Sequence, residues 1–125
     1  MKKQPQPYEL VFDERKGYLY AGIKADLIEP RIALDYFAEI ADKCASIRCK
    51  RVLLDRDIPA MLPDKLLHET MKKYVEMSKG LKIAFVNKHL SLEKAWRSAI
   101  DFTTTHGADF SYFDDHTKAE TWLLG

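Results

Sequence analysis

The first pattern along the chain is an alternation of apolar and polar residues that predicts two β-strands. Between residues 8 and 23, apolar side chains recur at every second position in two runs. The first run comprises Tyr8, Leu10 and Phe12, and the second comprises Leu19, Ala21 and Ile23. A polar segment ending at Gly17 separates the runs, and glycine adopts positive φ without steric cost. We therefore predict an antiparallel hairpin that turns at Gly17.

From Pro30 onward, the pattern changes to helical spacing interrupted by short apolar runs. Apolar residues three and four positions apart predict four helices. Pro30 suits the first turn of the first helix, and the predicted N-caps of the others are Asp64, Ser91 and Thr117. The runs between the helices are residues 51–55, 81–87 and 109–113. Their lack of alternation is typical of strands covered on both faces.

The order of these elements predicts the fold class. The order is β-β-α-β-α-β-α-β-α, and strands joined by crossover helices form a largely parallel sheet with right-handed connections. The hairpin adds one antiparallel edge strand. We predict a single α/β domain over residues 8–125, with helices covering a mixed, mostly parallel sheet. A disordered tail, residues 1–7, is expected to precede it.

Composition and charge argue against several classes of protein. Hydrophobic residues make up 46% of the chain and charged residues 31%, which suits a soluble globular domain. The formal net charge is +1 with both signs interspersed, so we expect no nucleic-acid partner. The nearest basic cluster is Arg48, Lys50 and Arg51, which lies where a helix should end and would complement its dipole.

Cysteine spacing and hydropathy bear on the cellular compartment. Cys44 and Cys49 have neither the spacing of a redox pair nor that of a zinc site, so we expect reduced thiols. No apolar run approaches the roughly 18 residues of a membrane-spanning helix. We expect a cytoplasmic protein without an integral membrane segment.

Polar side chains collect where the predicted parallel strands end, which is where ligands bind in such sheets. The candidates are Asp55, Asp57, Asn87, His89, Asp114 and His116. They would suit a divalent metal or a phosphoryl group, but Asp and Asn at strand ends also serve as turn formers and helix caps. We favour the second interpretation, because no motif for metal binding, nucleophilic catalysis or phosphate binding occurs. We predict no catalytic residue, metal or cofactor.

An uncharged loop, residues 58–63, follows the central strand. Six residues without charge would be unusual if they were fully solvated, so the loop either packs on the core or covers something. In the second case it would form a self-association surface or a lid over an apolar ligand. The candidate surface comprises Ile58, Pro59, Met61, Leu62, Leu66, Met71 and Tyr74.

Several segments carry a resemblance to a known family. They are Ala33–Phe37, Cys49–Asp55, Leu81–Val86 and Phe102–Gly107, together with Phe113, Ala119, Trp122 and Leu123. Through them the chain, from residue 8 onward, resembles the SpoIIAA-like group of STAS domains, in particular small single-domain bacterial STAS/SEC14-like proteins. These are mostly packing residues, so the resemblance is specific for a SpoIIAA-like fold and weak for function.

The resemblance implies a regulatory module. STAS domains of the anti-sigma-factor antagonist type carry a phosphorylatable Ser or Thr at the start of the helix after the central strand, where this chain has Leu62-Pro63-Asp64. We predict a non-enzymatic protein-interaction module that lacks this switch, forms a homodimer and binds an unknown protein partner. Because SEC14-like relatives bind lipid under a mobile gate, the alternative is a small apolar or lipid-like ligand in a pocket under residues 58–63.

Overall fold

The computed structural model describes residues 7–125, and its elements follow the predicted order. The strands are β1 (Glu9–Arg15), β2 (Tyr18–Lys24), β3 (Arg51–Asp57), β4 (Lys82–Asn87) and β5 (Asp109–Phe113). The helices are α1 (Pro30–Ile47), α2 (Asp64–Met77), α3 (Glu93–Thr105) and α4 (His116–Leu124), with a short 3-10 helix, Leu90–Leu92, before α3. The predicted tail lies outside the described residues, apart from Pro7.

The five strands form one sheet in the order β1-β2-β3-β4-β5. β1 and β2 pair antiparallel, and the other three pairs are parallel. Gly17 takes a φ of 88° in the tight turn between β1 and β2, which confirms the predicted hairpin. Because β2 to β5 run in one direction, their carboxyl ends meet at one edge of the sheet and their amino ends at the opposite edge. We call these the carboxyl edge and the amino edge.

The sheet is covered on both faces, which explains why β3 and β4 are almost continuously apolar. On one face, α1, α2 and α3 pack against side chains such as Leu19, Val52, Leu54 and Phe85. On the other face, α4 alone packs against a smaller cluster comprising Tyr18, Leu53, Ala84, Val86, Ala119 and Leu123. A single helix cannot cover a whole sheet face, so the carboxyl end of this second face is left for polar side chains.

The starts of three helices differ from the sequence prediction. α2 begins at Asp64 itself, with Pro63 in the cap position, and α3 begins at Glu93, after the 3-10 helix. The cap of α4 is Asp115 instead of Thr117, and its Oδ1 accepts a hydrogen bond of 2.8 Å from the Lys118 backbone N–H. The observed cap positions, Pro63, Leu92 and Asp115, lie within two residues of the predicted ones, and local backbone geometry decides between neighbouring positions.

Candidate functional site

The carboxyl edge of the sheet exposes three large apolar side chains. Leu27, in the loop after β2, is 71% exposed, and Leu90, the first residue of the 3-10 helix after β4, is 64% exposed. Leu66, in the first turn of α2, is 38% exposed. These residues follow three adjacent strands, and we call them the leucine edge. Scattered exposed leucines are ordinary, but several on neighbouring connections form a surface that a protein partner can bury.

The loop after β3 packs mainly on the core. Ile58 is fully buried and Leu62 is 6% exposed, and both belong to the main hydrophobic cluster. Met71 and Tyr74, which were also predicted for the contact surface, are each 1% exposed. Their burial follows from the spacing of α2, whose apolar face packs on the sheet.

Little of the predicted loop surface therefore remains accessible. Pro59 and Leu66 are exposed, and Met61 is half-buried. In this conformation a partner at this position would touch these three residues and not the four that fill the core. The accessible part of the surface is continuous along the chain with the leucine edge, which it shares through Leu66.

Arg56 fixes the position of this loop through hydrogen bonds from its buried side chain. Its side chain is only 2% exposed, and it points to the same face as Val52 and Leu54 because residues two apart on a strand share a face. Nη1 donates a hydrogen bond of 2.9 Å to the Ile58 carbonyl, and Nη2 donates one of 2.7 Å to the Ala60 carbonyl. The guanidinium carbon lies 5.1 Å from the centre of the Trp96 ring.

The Arg56 guanidinium has no carboxylate partner among residues 7–125, and its Nε is buried without a hydrogen-bond acceptor. The sequence interpretation missed this role, since an arginine between two aspartates suggests a hydrated strand end. The two-residue repeat of any β-strand carried the signal, because it places residue 56 on the same face as Val52 and Leu54 of the main core.

Only a small cavity lies under the loop. Its volume is about 10 Å³, and its lining includes Arg56, Met61, Leu62, Met71 and Tyr74. A single water molecule needs a cavity of roughly 10–15 Å³. An acyl chain or another apolar ligand therefore has no room here unless the loop moves.

The acids of β3 point to the opposite face from Arg56, toward α4. Tyr20 donates a hydrogen bond of 2.6 Å to Oδ2 of Asp55, and Nε2 of His116 lies 3.3 Å from the same oxygen. Burial, with the hydrogen bond to Asp55 and its negative charge, raises the pKa of Tyr20 to about 12. The Tyr20 hydroxyl therefore stays protonated and is a stable donor near neutral pH.

Asp57 has separate partners. Its Oδ1 lies 2.8 Å from Nε2 of His89, and its Oδ2 lies 3.8 Å from Nζ of Lys88. Asn87 is buried, and its side-chain amide donates to the His89 carbonyl at 3.0 Å, which positions the loop that carries this histidine.

Asp114 takes part in neither group. It pairs with Lys118 at 3.2 Å, and this contact lowers its pKa. The predicted polar rim thus divides into an Asp55–His116 pair with Tyr20, an Asp57–His89 pair with Lys88, and an exposed ion pair between Asp114, which precedes α4, and Lys118 in α4. Within the described part of the chain, no three His, Cys, Asp or Glu side chains lie close enough to hold a metal ion together.

The fold also bears on membrane association. In residues 7–125, no helix combines the length and apolar character that crossing a bilayer requires.

Comparison with known proteins shows which fold this is. No family model and no curated protein matches the sequence. Among solved structures, the chain is similar to an anti-sigma factor antagonist from Mycobacterium paratuberculosis, with a TM-score of 0.64 and 10% sequence identity, over 99% of this chain and 100% of the other. At this identity the likeness establishes the fold alone. The chain therefore has the SpoIIAA-like (STAS) fold of an anti-sigma factor antagonist, as its sequence predicts.

Proposed function

We propose that this protein is a non-enzymatic regulatory module that binds a protein partner through the leucine edge. The observation that carries the proposal is the exposure of Leu27, Leu66 and Leu90 on three adjacent connections at one edge of the sheet. Burying one such side chain contributes about 1.5–3 kcal/mol, so a partner that covers all three gains several kcal/mol. The fold shared with an anti-sigma factor antagonist supports a regulatory role.

The polar groups of the carboxyl edge support binding more than catalysis. Asp55 and Asp57 each pair with a histidine and with a second hydrogen-bonding or charged group, so their oxygens already have partners. Neither pair stands beside a hydroxyl or thiol nucleophile with the geometry of a catalytic dyad. We infer that these groups form the polar rim of the interface, which in protein complexes surrounds an apolar centre.

Regulation by phosphorylation at the start of α2 is not part of this proposal. Position 63 is proline and position 64 is aspartate, and the segment from Leu62 to Leu66 has no hydroxyl group. A carboxylate in the first turn of a helix is favourable to the helix dipole. Asp64 therefore gives this helix start a constant negative charge, where a phosphorylated residue would give a switchable one.

Site-specific photo-crosslinking in the source cells tests the proposal. A photoreactive amino acid replaces Leu27 or Leu90 in one set of variants and Leu124 in the matched control. Leu124 is 45% exposed but lies at the end of α4, on the amino edge. We expect one protein to crosslink from both edge positions and not from the control position.

A purified interaction then has to confirm that crosslink. The double substitution Leu27→Asp and Leu90→Asp should weaken binding of the crosslinked protein by about 100-fold, since two apolar contacts of about 1.5 kcal/mol are lost. Leu124→Asp should leave the affinity unchanged. Equal effects of the edge and control substitutions would contradict the proposal.

Self-association through the same edge remains part of the prediction. Sedimentation velocity measured over a range of concentrations would detect a homodimer, and Leu27→Asp with Leu90→Asp should shift it to monomer. If the wild-type protein sediments as a monomer throughout, the leucine edge serves a different protein and the homodimer is excluded.

A small apolar or lipid-like ligand under residues 58–63 is the alternative function. The observation that favours it is Arg56, a buried cation that lines the cavity and whose Nε has no acceptor, so an acidic head group would compensate its charge. The loop would have to open, because the cavity holds about 10 Å³. Native mass spectrometry of freshly purified protein would show a retained adduct if this function is correct.

A further inference from the structure

The amino edge of the sheet carries a group of cations without ion-pair partners. Arg48, Lys50, Arg51 and Lys79 are exposed, and none of them forms an ion pair with a carboxylate of residues 7–125. Residues 1–6 contain no acidic side chain that could pair with them. In a chain with a net charge of +1, this is a local concentration of positive charge.

Helix dipoles account for only part of this concentration. Arg48 is the C-cap residue of α1, and Lys79 lies two residues after the end of α2, so both complement the negative end of a helix. Each helix end represents about half an elementary charge. Lys50 and Arg51, at the start of β3, exceed what two helix ends balance.

An apolar groove adjoins these cations. It lies between the carboxyl-terminal ends of α1 and α2 and has a volume of about 560 Å³. Its apolar lining comprises Ala41, Cys44, Ala45, Met77 and Leu81. Burial, and to a lesser extent the neighbouring Cys49, raises the pKa of the Cys44 thiol to about 11, so the thiol stays neutral and acts as a small apolar group.

The cationic hollow beside it has a volume of about 390 Å³, and its charged lining comprises four cations, Lys50, Arg51, Lys79 and Lys82, and one carboxylate, Asp109. The groove and the hollow share Lys50, Lys79, Gly80 and Leu81, so they form one continuous depression. Its combined size falls within the range of small-molecule sites in proteins. One half is apolar and the other half is cationic.

We propose that this depression binds an amphipathic anion, with an alkyl or similar apolar tail in the groove between α1 and α2 and a phosphate or carboxylate head against Lys50 and Lys79. A purely ionic ligand would leave the apolar groove uncovered, and a neutral apolar ligand would leave the cations unpaired. The site lies at the opposite edge of the sheet from the leucine edge. A test of this site is therefore independent of whether a partner binds the leucine edge.

Isothermal titration calorimetry with dodecyl phosphate, below its micelle concentration, tests the proposal. Inorganic phosphate serves as the head-only probe, and dodecyl maltoside as the tail with an uncharged head. We expect saturable one-to-one binding of dodecyl phosphate that is at least about tenfold tighter than that of either control. Equal affinity for inorganic phosphate or for the maltoside would overturn the proposal.

Two variants separate the halves of the site. Lys50→Glu should weaken binding of both dodecyl phosphate and inorganic phosphate by about tenfold or more, because it replaces a charge-assisted contact with a like charge. Ala45→Trp fills the groove from an exposed position of α1 and should weaken only dodecyl phosphate. The matched control is Lys65→Glu, at the other end of α2, which should change neither. Unchanged dodecyl phosphate affinity in both site variants would place binding elsewhere and refute the assignment.

The alternative role of the cations is to bind an anionic membrane surface. Co-sedimentation with phosphatidylglycerol vesicles distinguishes membrane binding from the proposed small-ligand site. Binding to vesicles that dodecyl phosphate does not displace would assign the cations to a membrane and overturn the small-ligand site. Displacement by dodecyl phosphate, abolished by Ala45→Trp, would support it.

Discussion

Arg56 offers a direct test of the structure, because it is a buried cation. Its guanidinium donates hydrogen bonds to two backbone carbonyls and forms no ion pair with a carboxylate of residues 7–125. Two substitutions separate its charge from its geometry. Arg56→Lys keeps the positive charge but loses the planar fork that reaches the carbonyls of Ile58 and Ala60 together. Arg56→Met keeps an unbranched side chain of similar reach and removes the charge.

The energies of the interactions involved predict that Arg56→Lys lowers the free energy of unfolding more than Arg56→Met does. Arg56→Lys loses at least one hydrogen bond from a charged donor, worth about 1.5–3 kcal/mol, and buries an ammonium that water hydrates more strongly than a guanidinium. We expect a loss of about 3 kcal/mol or more in the free energy of unfolding. Arg56→Met leaves two carbonyls without this donor but also removes the desolvation cost of a buried cation, which is several kcal/mol. The two effects largely cancel, and we expect a loss of about 2 kcal/mol or less.

The pH dependence of the unfolding free energy shows whether burial of the charge is the cause of the loss in Arg56→Lys. Burial lowers the pKa of the introduced ammonium below its value in the unfolded chain, so the unfolded state binds more protons. The stability of Arg56→Lys relative to wild type should therefore rise from pH 7 toward pH 10, whereas that of Arg56→Met relative to wild type should stay constant.

Urea unfolding followed by tryptophan fluorescence measures all three proteins, and Trp96 lies against the Arg56 guanidinium. If Arg56→Lys stays within about 1 kcal/mol of wild type at every pH, the explanation of Arg56 as a buried, unpaired cation is refuted. A larger loss in Arg56→Met than in Arg56→Lys would also refute it.

Three further predictions follow from burial, electrostatics and backbone geometry. Leu62→Asp should lower the free energy of unfolding by about 3 kcal/mol or more, while the exposed Leu66→Asp should stay within about 1 kcal/mol, as urea unfolding would show. Asp55→Asn should lower the pKa of Tyr20 from about 12 toward 10.0, as ultraviolet titration would show. Because the folded state favours the neutral phenol, the wild-type protein should lose this contribution to its free energy of unfolding as the pH rises from about 10 to 12. Gly17→Ala should destabilise by more than about 1 kcal/mol in thermal unfolding, because φ is 88° and the new Cβ would lie 2.8 Å from a leucine methyl of α4; an unchanged midpoint would contradict this.

The element order was predictable because it depends on periodicity, which the buried face imposes on every strand and helix. β2 shows this directly: Leu19, Ala21 and Ile23 lie in the main core, whereas Tyr18 and Tyr20, which alternate with them, face the second cluster on the other side of the sheet. Helix starts were less predictable, since Ser91 and Glu93 differ by two residues and only backbone geometry decides where α3 begins.

The candidate site was predictable only in part, and the reason lies in the two faces of β3. Asp55 and Asp57 were expected at the carboxyl edge, and the structure places them there, each with its own histidine. Their separation into two pairs depends on where α4 and the loop after β4 lie, and neither position can be derived from spacing along the chain. The role of Arg56 depends on the same strand, because neighbouring residues of a strand point to opposite faces of the sheet. Asp55 and Asp57 therefore face the side that only α4 covers, whereas Arg56 faces the main core.

Sequence analysis included Leu66 in the predicted contact surface but missed Leu27 and Leu90, because isolated leucines in connections usually fill a core. Leu62 does so, whereas Leu27 and Leu90 do not, although all three lie in connections at the same edge. The difference arises from packing: Leu62 belongs to the core that α1, α2 and α3 form with the sheet, whereas Leu27 and Leu90 lie outside it. Exposure here is therefore a property of the packed domain as a whole. For the same reason, the proposed binding of a partner depends on a surface that only the complete fold creates, and not on a motif of adjacent residues.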